Sequence, residues 1–94
     1  PLLVVVMNDQ GLGAEYHKAR AKGLDPELAT IPTPELGAVA QALGGAGATV
    51  RTPQELRTAL AEYVHTPRPT VIDVRITREV LSTPYRRIQY GEDV

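Results

Sequence analysis

Cysteine is absent from this 94-residue chain. That excludes a disulfide framework, a thiolate metal site and a cysteine nucleophile. Histidine is scarce, and its two copies, His17 and His65, stand too far apart to form a zinc-ligand pattern. No sign of charge dominates: the formal net charge is −1, with no broad basic face, which argues against a nucleic-acid partner. No long hydrophobic run is present either. The apolar opening, Leu2 to Met7, is far shorter than the roughly 20 residues of a membrane span and lacks the basic flank of a signal peptide. A cytoplasmic protein with no membrane partner is the default expectation.

A chain of this size is a single domain, residues 1–94, and buries only about 60 to 65% of the surface its unfolded form exposes. It starts at Pro1, without an initiator Met and almost directly in an apolar run, so it reads as a piece of something longer.

That run, Leu2-Leu3-Val4-Val5-Val6-Met7, has no polar side to alternate with. This is the pattern of a strand buried on both faces, and it predicts the central strand of a parallel sheet. It stops at Asn8-Asp9, followed by Gly11 and Gly13, which let the backbone turn tightly and approach a bound group. Ligands of open α/β sheets bind beyond the carboxyl ends of the strands, where Asn8, Asp9 and Gly11 fall. The residues therefore suggest an oxygen-rich site for a metal ion of the Mg²⁺ type and a phosphate. On spacing alone, Asp9 capping the following turn explains the pattern equally well. Gly11-Leu12-Gly13 also matches half of a dinucleotide fingerprint, with Tyr16 in place of the third glycine.

Ala14 to Lys22 predicts a short helix, with Glu15 in its first turn, Arg20 and Lys22 in its last, and Gly23 beyond. Its first-turn N–H groups suit a phosphate. Three prolines between Leu24 and Pro34 predict an extended loop. Thr33 is read as the cap of a second helix, with Leu36, Val39, Ala40 and Leu43 at helical spacing before Gly44-Gly45. Ala48 to Arg51 predicts a strand. Thr52-Pro53-Gln54-Glu55 then opens a third helix with a capping box, with Leu56, Ala59, Leu60 and Tyr63 as its buried stripe. Thr70 to Ile76 predicts the last strand, with Asp73 and Arg75 placing one face or edge in water. Residues 79–94 show no clear period and read as a tail. Strands alternating with helices imply right-handed crossovers: an α/β, Rossmann-like three-layer fragment with a mainly parallel sheet and helices on its faces.

The stretch Val4 to Gly13 resembles the second half of the thiamine diphosphate motif, in which a Gly-Asp-Gly is followed at a distance by a strand ending in Asn-Asn and a glycine-containing turn. With Ala42-Leu43-Gly44-Gly45 and Pro69 to Arg75, the chain up to about Ile76 is similar to the carboxyl end of the cofactor-binding domain of the acetolactate synthase, benzoylformate decarboxylase and pyruvate decarboxylase group. The resemblance implies a thiamine diphosphate-binding fold acting on 2-oxo acids, by decarboxylation, carboligation or both. It also implies Mg²⁺ and a homodimer or homotetramer, since the family's active sites lie between subunits. By position, Asp9 matches the second Asn, which binds Mg²⁺ through its side chain, and Asn8 matches the first. Gly11 would give the same ion its backbone carbonyl, and Leu12 and Gly13 would offer N–H groups to the diphosphate. Glu15 falls where some members place a catalytic acid; its plainer reading is a solvated carboxylate favoured by the helix dipole.

Two departures stand out. Asp9 replaces the usual Asn, adding a negative charge, and the Gly-Asp-Gly half is absent from these residues, as is the pyrimidine-binding domain. The chain alone is expected to be inactive. Two other readings are a truncated, non-catalytic paralogue serving in assembly, and a nucleotide-binding α/β domain using Gly11 and Gly13. Among the remaining residues, His17 lies near the site and is open to a contact with substrate or cofactor, its plainer reading being a surface histidine. His65 reads as interacting with the last carbonyls of its helix. Arg86 and Arg87, beside Tyr85 and Tyr90, read as an anion grip or, more plainly, as a subunit contact or a solvated pair.

Overall fold

The runs rich in valine, isoleucine and threonine form strands, and the alanine- and leucine-rich stretches between them form helices. In the computed structural model, which describes residues 1–94, the order is β1 (Leu3–Asn8), α1 (Gly13–Ala21), a 3₁₀ turn (Pro26–Ala29), α2 (Leu36–Ala42), β2 (Ala46–Val50), α3 (Pro53–His65), β3 (Thr70–Arg75) and α4 (Thr83–Tyr90). Contacts divide the chain into two compact units. One holds Pro1–Asn8 and Thr33–Ile76, the other Asp9–Pro32 and Thr77–Val94.

The first unit is a three-stranded parallel sheet in the order β1-β3-β2. The chain leaves β1 for the far edge and then steps back to the middle, so two right-handed crossovers put α2 on one face and α3 on the other. The parallel α/β architecture read from the sequence is the one observed. Ile72 and Val50 are buried at its centre. The capping box of α3 forms as its sequence predicts: the Thr52 hydroxyl accepts from Glu55 N–H at 3.1 Å, and the Glu55 carboxylate accepts from Thr52 N–H at 3.2 Å.

Two strand assignments are exchanged. The apolar run, expected at the centre, is the edge strand β1, and Val4, Val5 and Met7 are exposed, Met7 by 63%. The charged strand, expected to meet water, is the central β3, and Asp73 is 0% exposed. Hydrophobicity reports a strand's need for cover but not its neighbours, and a carboxylate tolerates the centre when its lone pairs are filled. Leu60, read as part of the buried stripe of α3, is 37% exposed.

The second helix starts later than its proline suggests, at Leu36 with Glu35 at the cap. The Thr33 hydroxyl, expected to cap it, instead accepts a hydrogen bond from the Asn8 side chain at 3.0 Å.

The second unit pairs α1 with the 3₁₀ turn and with α4. The proline-rich loop is less extended than expected, because the Asp25 carboxylate caps that turn by accepting from Glu27 N–H at 3.0 Å. Residues 79–94, which show no period in sequence, contain α4, closed by Gly91 in the left-handed conformation.

Candidate functional site

Asn8 ends β1 and is buried, its amide held in the first unit by Thr33 Oγ1 and, at 2.9 Å, by Asp73 Oδ1. Asp73 is the hub of this network. Its Oδ2 accepts from Arg75 Nε at 3.1 Å and from Leu36 N–H at 3.3 Å, and Arg75 Nη2 lies 3.0 Å away. Two neutral donors and a guanidinium thus fill the lone pairs of a carboxylate with no access to water. Sequence reasoning left Asp73 out of the site; its signal was a lone acid in an apolar strand.

Asp9, Gly11, Leu12 and Gly13 lie in the second unit, the first three in the segment that leads into α1 and Gly13 as its first residue. The turn is made by Gln10, in the left-handed region at φ 58°, and not by a glycine. The two glycines serve close approach instead. A Cβ on Gly11 would lie 2.7 Å from the Ala29 carbonyl oxygen, and one on Gly13 would lie 2.5 Å from Asp9 Oδ2. The Asp9 carboxylate therefore reaches the start of α1 through space that only a glycine leaves. Its Oδ1 accepts from Gly11 N–H at 3.1 Å, so the turn-capping role and a carboxylate directed at the helix start occur together.

The backbone donors are not equivalent. Leu12 N–H donates to the Ala29 carbonyl at 2.8 Å, beside an antiparallel bridge between Gly11 and Thr30, so this donor is already engaged. The first bond of the helix runs from Tyr16 N–H to the Leu12 carbonyl at 2.8 Å. Gly13, Ala14 and Glu15 precede it, and Leu12 at the cap position brings no side-chain acceptor. Those three N–H groups are the donors that a helix start leaves without an intrahelical partner.

Glu15 is exposed and lines a hollow of about 220 Å³ with Leu12, Ala19, Leu24 and Leu28. His17, read as a surface residue, is buried at 5% exposure and is held by the Arg78 backbone carbonyl. His65 ends α3 and is exposed. Arg86 of α4 pairs at 2.6 Å with Glu92, just past the helix cap at Gly91, while Arg87 is exposed.

The donor set fits a diphosphate held through a divalent ion: a carboxylate, a nearby backbone carbonyl and a run of first-turn N–H groups within seven residues. No group of three histidine, cysteine, aspartate or glutamate side chains converges as a self-sufficient metal centre. Any ion here would need oxygen ligands from the backbone or from elsewhere.

Comparison with known proteins gives the family. The family described as "Thiamine pyrophosphate enzyme, C-terminal TPP binding domain" matches residues 1–74. The Bacillus subtilis (strain 168) protein named "Putative thiamine pyrophosphate-containing protein YdaP" is 30% identical over 79 residues, which are 84% of this chain and 14% of that relative. No solved structure matches. The chain thus spans a small part of that relative's length, and over residues 1–74 it belongs to the C-terminal thiamine pyrophosphate-binding domain family of thiamine pyrophosphate enzymes.

Proposed function

We propose that this chain is the diphosphate- and Mg²⁺-holding part of an acetolactate synthase-like enzyme acting on 2-oxo acids. The observation that supports it most is the uncapped start of α1 immediately after Asp9, with Gly13 leaving room for the carboxylate.

In this reading the Asp9 carboxylate and the Gly11 carbonyl are two hard oxygen ligands to Mg²⁺, and the ion takes its remaining positions from diphosphate oxygens, water and residues outside this chain. The N–H groups of Gly13, Ala14 and Glu15 bind the diphosphate, helped by the positive end of the helix dipole. Because Leu12 N–H is engaged with Ala29, Leu12 acts by shaping the turn. Asn8, tied to Thr33 and Asp73, anchors the strand end from which Asp9 emerges. Glu15 is the residue of this chain proposed to hold or deliver a proton at the substrate. When bound, thiamine diphosphate supplies the carbanion chemistry that breaks or forms bonds beside the carbonyl of a 2-oxo acid. The working enzyme is proposed to be a cytoplasmic homodimer or homotetramer.

Calorimetric titration of the full-length protein with thiamine diphosphate tests the reading. Binding should require Mg²⁺. Asp9→Ala should weaken it several-fold or more, and Asp9→Asn, which keeps an oxygen ligand, should stay closer to the parent. Unchanged affinity in Asp9→Ala removes Asp9 from the metal site.

A further inference from the structure

The helix that starts at the proposed diphosphate site has little of its own to hold it in place. His17 is its one buried side chain, and the small residues Ala14, Ala19 and Ala21 offer little apolar surface. The 3₁₀ turn packs on this helix, and its remaining contacts come from the chain after β3. His17 Nε2 bonds the Arg78 carbonyl, and since a carbonyl only accepts, Nε2 carries the proton. His17 Nδ1 is buried with no partner. For packing alone a leucine would fill this place without desolvating a nitrogen, so what the imidazole adds is one directional bond to residue 78.

Its neighbours grip the same segment. The Arg78 guanidinium lies 5.3 Å from the centre of the Tyr16 ring, and that of Arg20 lies 5.7 Å from it. Arg20 Nη1 also pairs with Glu79 Oε2 at 3.0 Å, and α4 packs on α1. His17 is about 200° around the helix from Glu15, so the gripped face is opposite the open hollow. The matched family region ends at residue 74, and Arg78, Glu79 and α4 lie beyond it.

We propose that residues 78–90 are a clamp that positions α1 through His17, and that seating the clamp sets the affinity of the Asp9–Gly13 segment for the diphosphate of thiamine diphosphate. His17 is thus a positioning residue, and the inference rests on the cofactor reading above. Because coupling is reciprocal, cofactor binding tightens the clamp by the same factor that the clamp tightens binding.

Hydrogen–deuterium exchange and calorimetry on the full-length protein test this. Mg²⁺ with thiamine diphosphate should slow exchange in 78–90 as well as in 13–21. His17→Leu should weaken cofactor binding on the order of tenfold and abolish the slowing in 78–90. His17→Gln, which keeps an N–H near the Nε2 position, should restore most of both. Full affinity in His17→Leu, a Gln variant as weak as the Leu variant, or no slowing in 78–90 of the parent overturns the clamp. If His17→Leu fails to fold, Arg20→Ala and Glu79→Ala, both exposed, should each weaken binding about two- to threefold, and parental affinity in both overturns it. A parent protein that ignores thiamine diphosphate sinks the cofactor reading instead. The clamp is then decided without cofactor: faster exchange of 13–21 in His17→Leu supports it, and unchanged exchange refutes it.

Discussion

The Asn8 side-chain amide donates to Asp73 Oδ1 across 2.9 Å, tying the last residue of the edge strand to a fully buried carboxylate in the central one. In register Asn8 stands opposite Arg75 and Val6 opposite Asp73, so the bond runs diagonally by two residues. The same carboxylate caps Leu36 N–H and neutralises Arg75. One acid thereby joins β1, β3 and the start of α2.

Removing that acid should be costly. Asp73→Ala takes from the Arg75 guanidinium its buried carboxylate partner, leaving it the Pro34 carbonyl and Glu35, and from the Asn8 amide one of its acceptors, leaving it Thr33 Oγ1. A broken buried pair costs about 3–5 kcal/mol. Asp73→Asn keeps one oxygen and should cost less, about 1–3 kcal/mol. Denaturant unfolding of the full-length protein measures both; a change below 1 kcal/mol in Asp73→Ala contradicts the hub role.

Gly13→Ala separates site from fold. Alanine favours the helix, but its Cβ would meet Asp9 Oδ2 at 2.5 Å and push the carboxylate aside. Mg²⁺-dependent thiamine diphosphate binding should fall about tenfold with the unfolding midpoint nearly unchanged. Equal affinities in calorimetry would show that the carboxylate's position is immaterial.

The turn at Gln10 gives a third expectation. A β-branched residue resists the left-handed conformation that Gln10 adopts at φ 58°, so Gln10→Val should destabilise by about 1–2 kcal/mol, whereas Gln10→Gly should be tolerated. Thermal unfolding of the pair checks the order.

Thr52→Ala removes the acceptor for Glu55 N–H and should cost about 1 kcal/mol. Cofactor affinity should not respond, because neither Thr52 nor Glu55 is among the proposed cofactor ligands.

Expressed by itself, the 94-residue chain exposes Val4, Val5 and Met7 along an edge strand, with Leu2 just before it. Such an edge recruits other chains. Light scattering should report self-association, and Met7→Lys should reduce it.

Local chemistry determined much of this protein. The 3.6-residue spacing and capping box of α3 and the alternation of strands with helices each follow from side chains close in sequence, so they are legible without coordinates. The Asn8–Gly13 stretch was legible as a turn, but the residue that turns is Gln10 and not a glycine. What depended on distant partners was not. Whether an apolar strand lies at the edge or the centre is set by which strands pair with it, so the Val4–Met7 run and the Ile72–Arg75 strand exchanged places. Asp73 and His17 look like surface residues in the sequence. Only the tertiary structure supplies Asn8, Leu36 and Arg75 to fill the lone pairs of the one, and the Arg78 carbonyl to accept a hydrogen bond from the other.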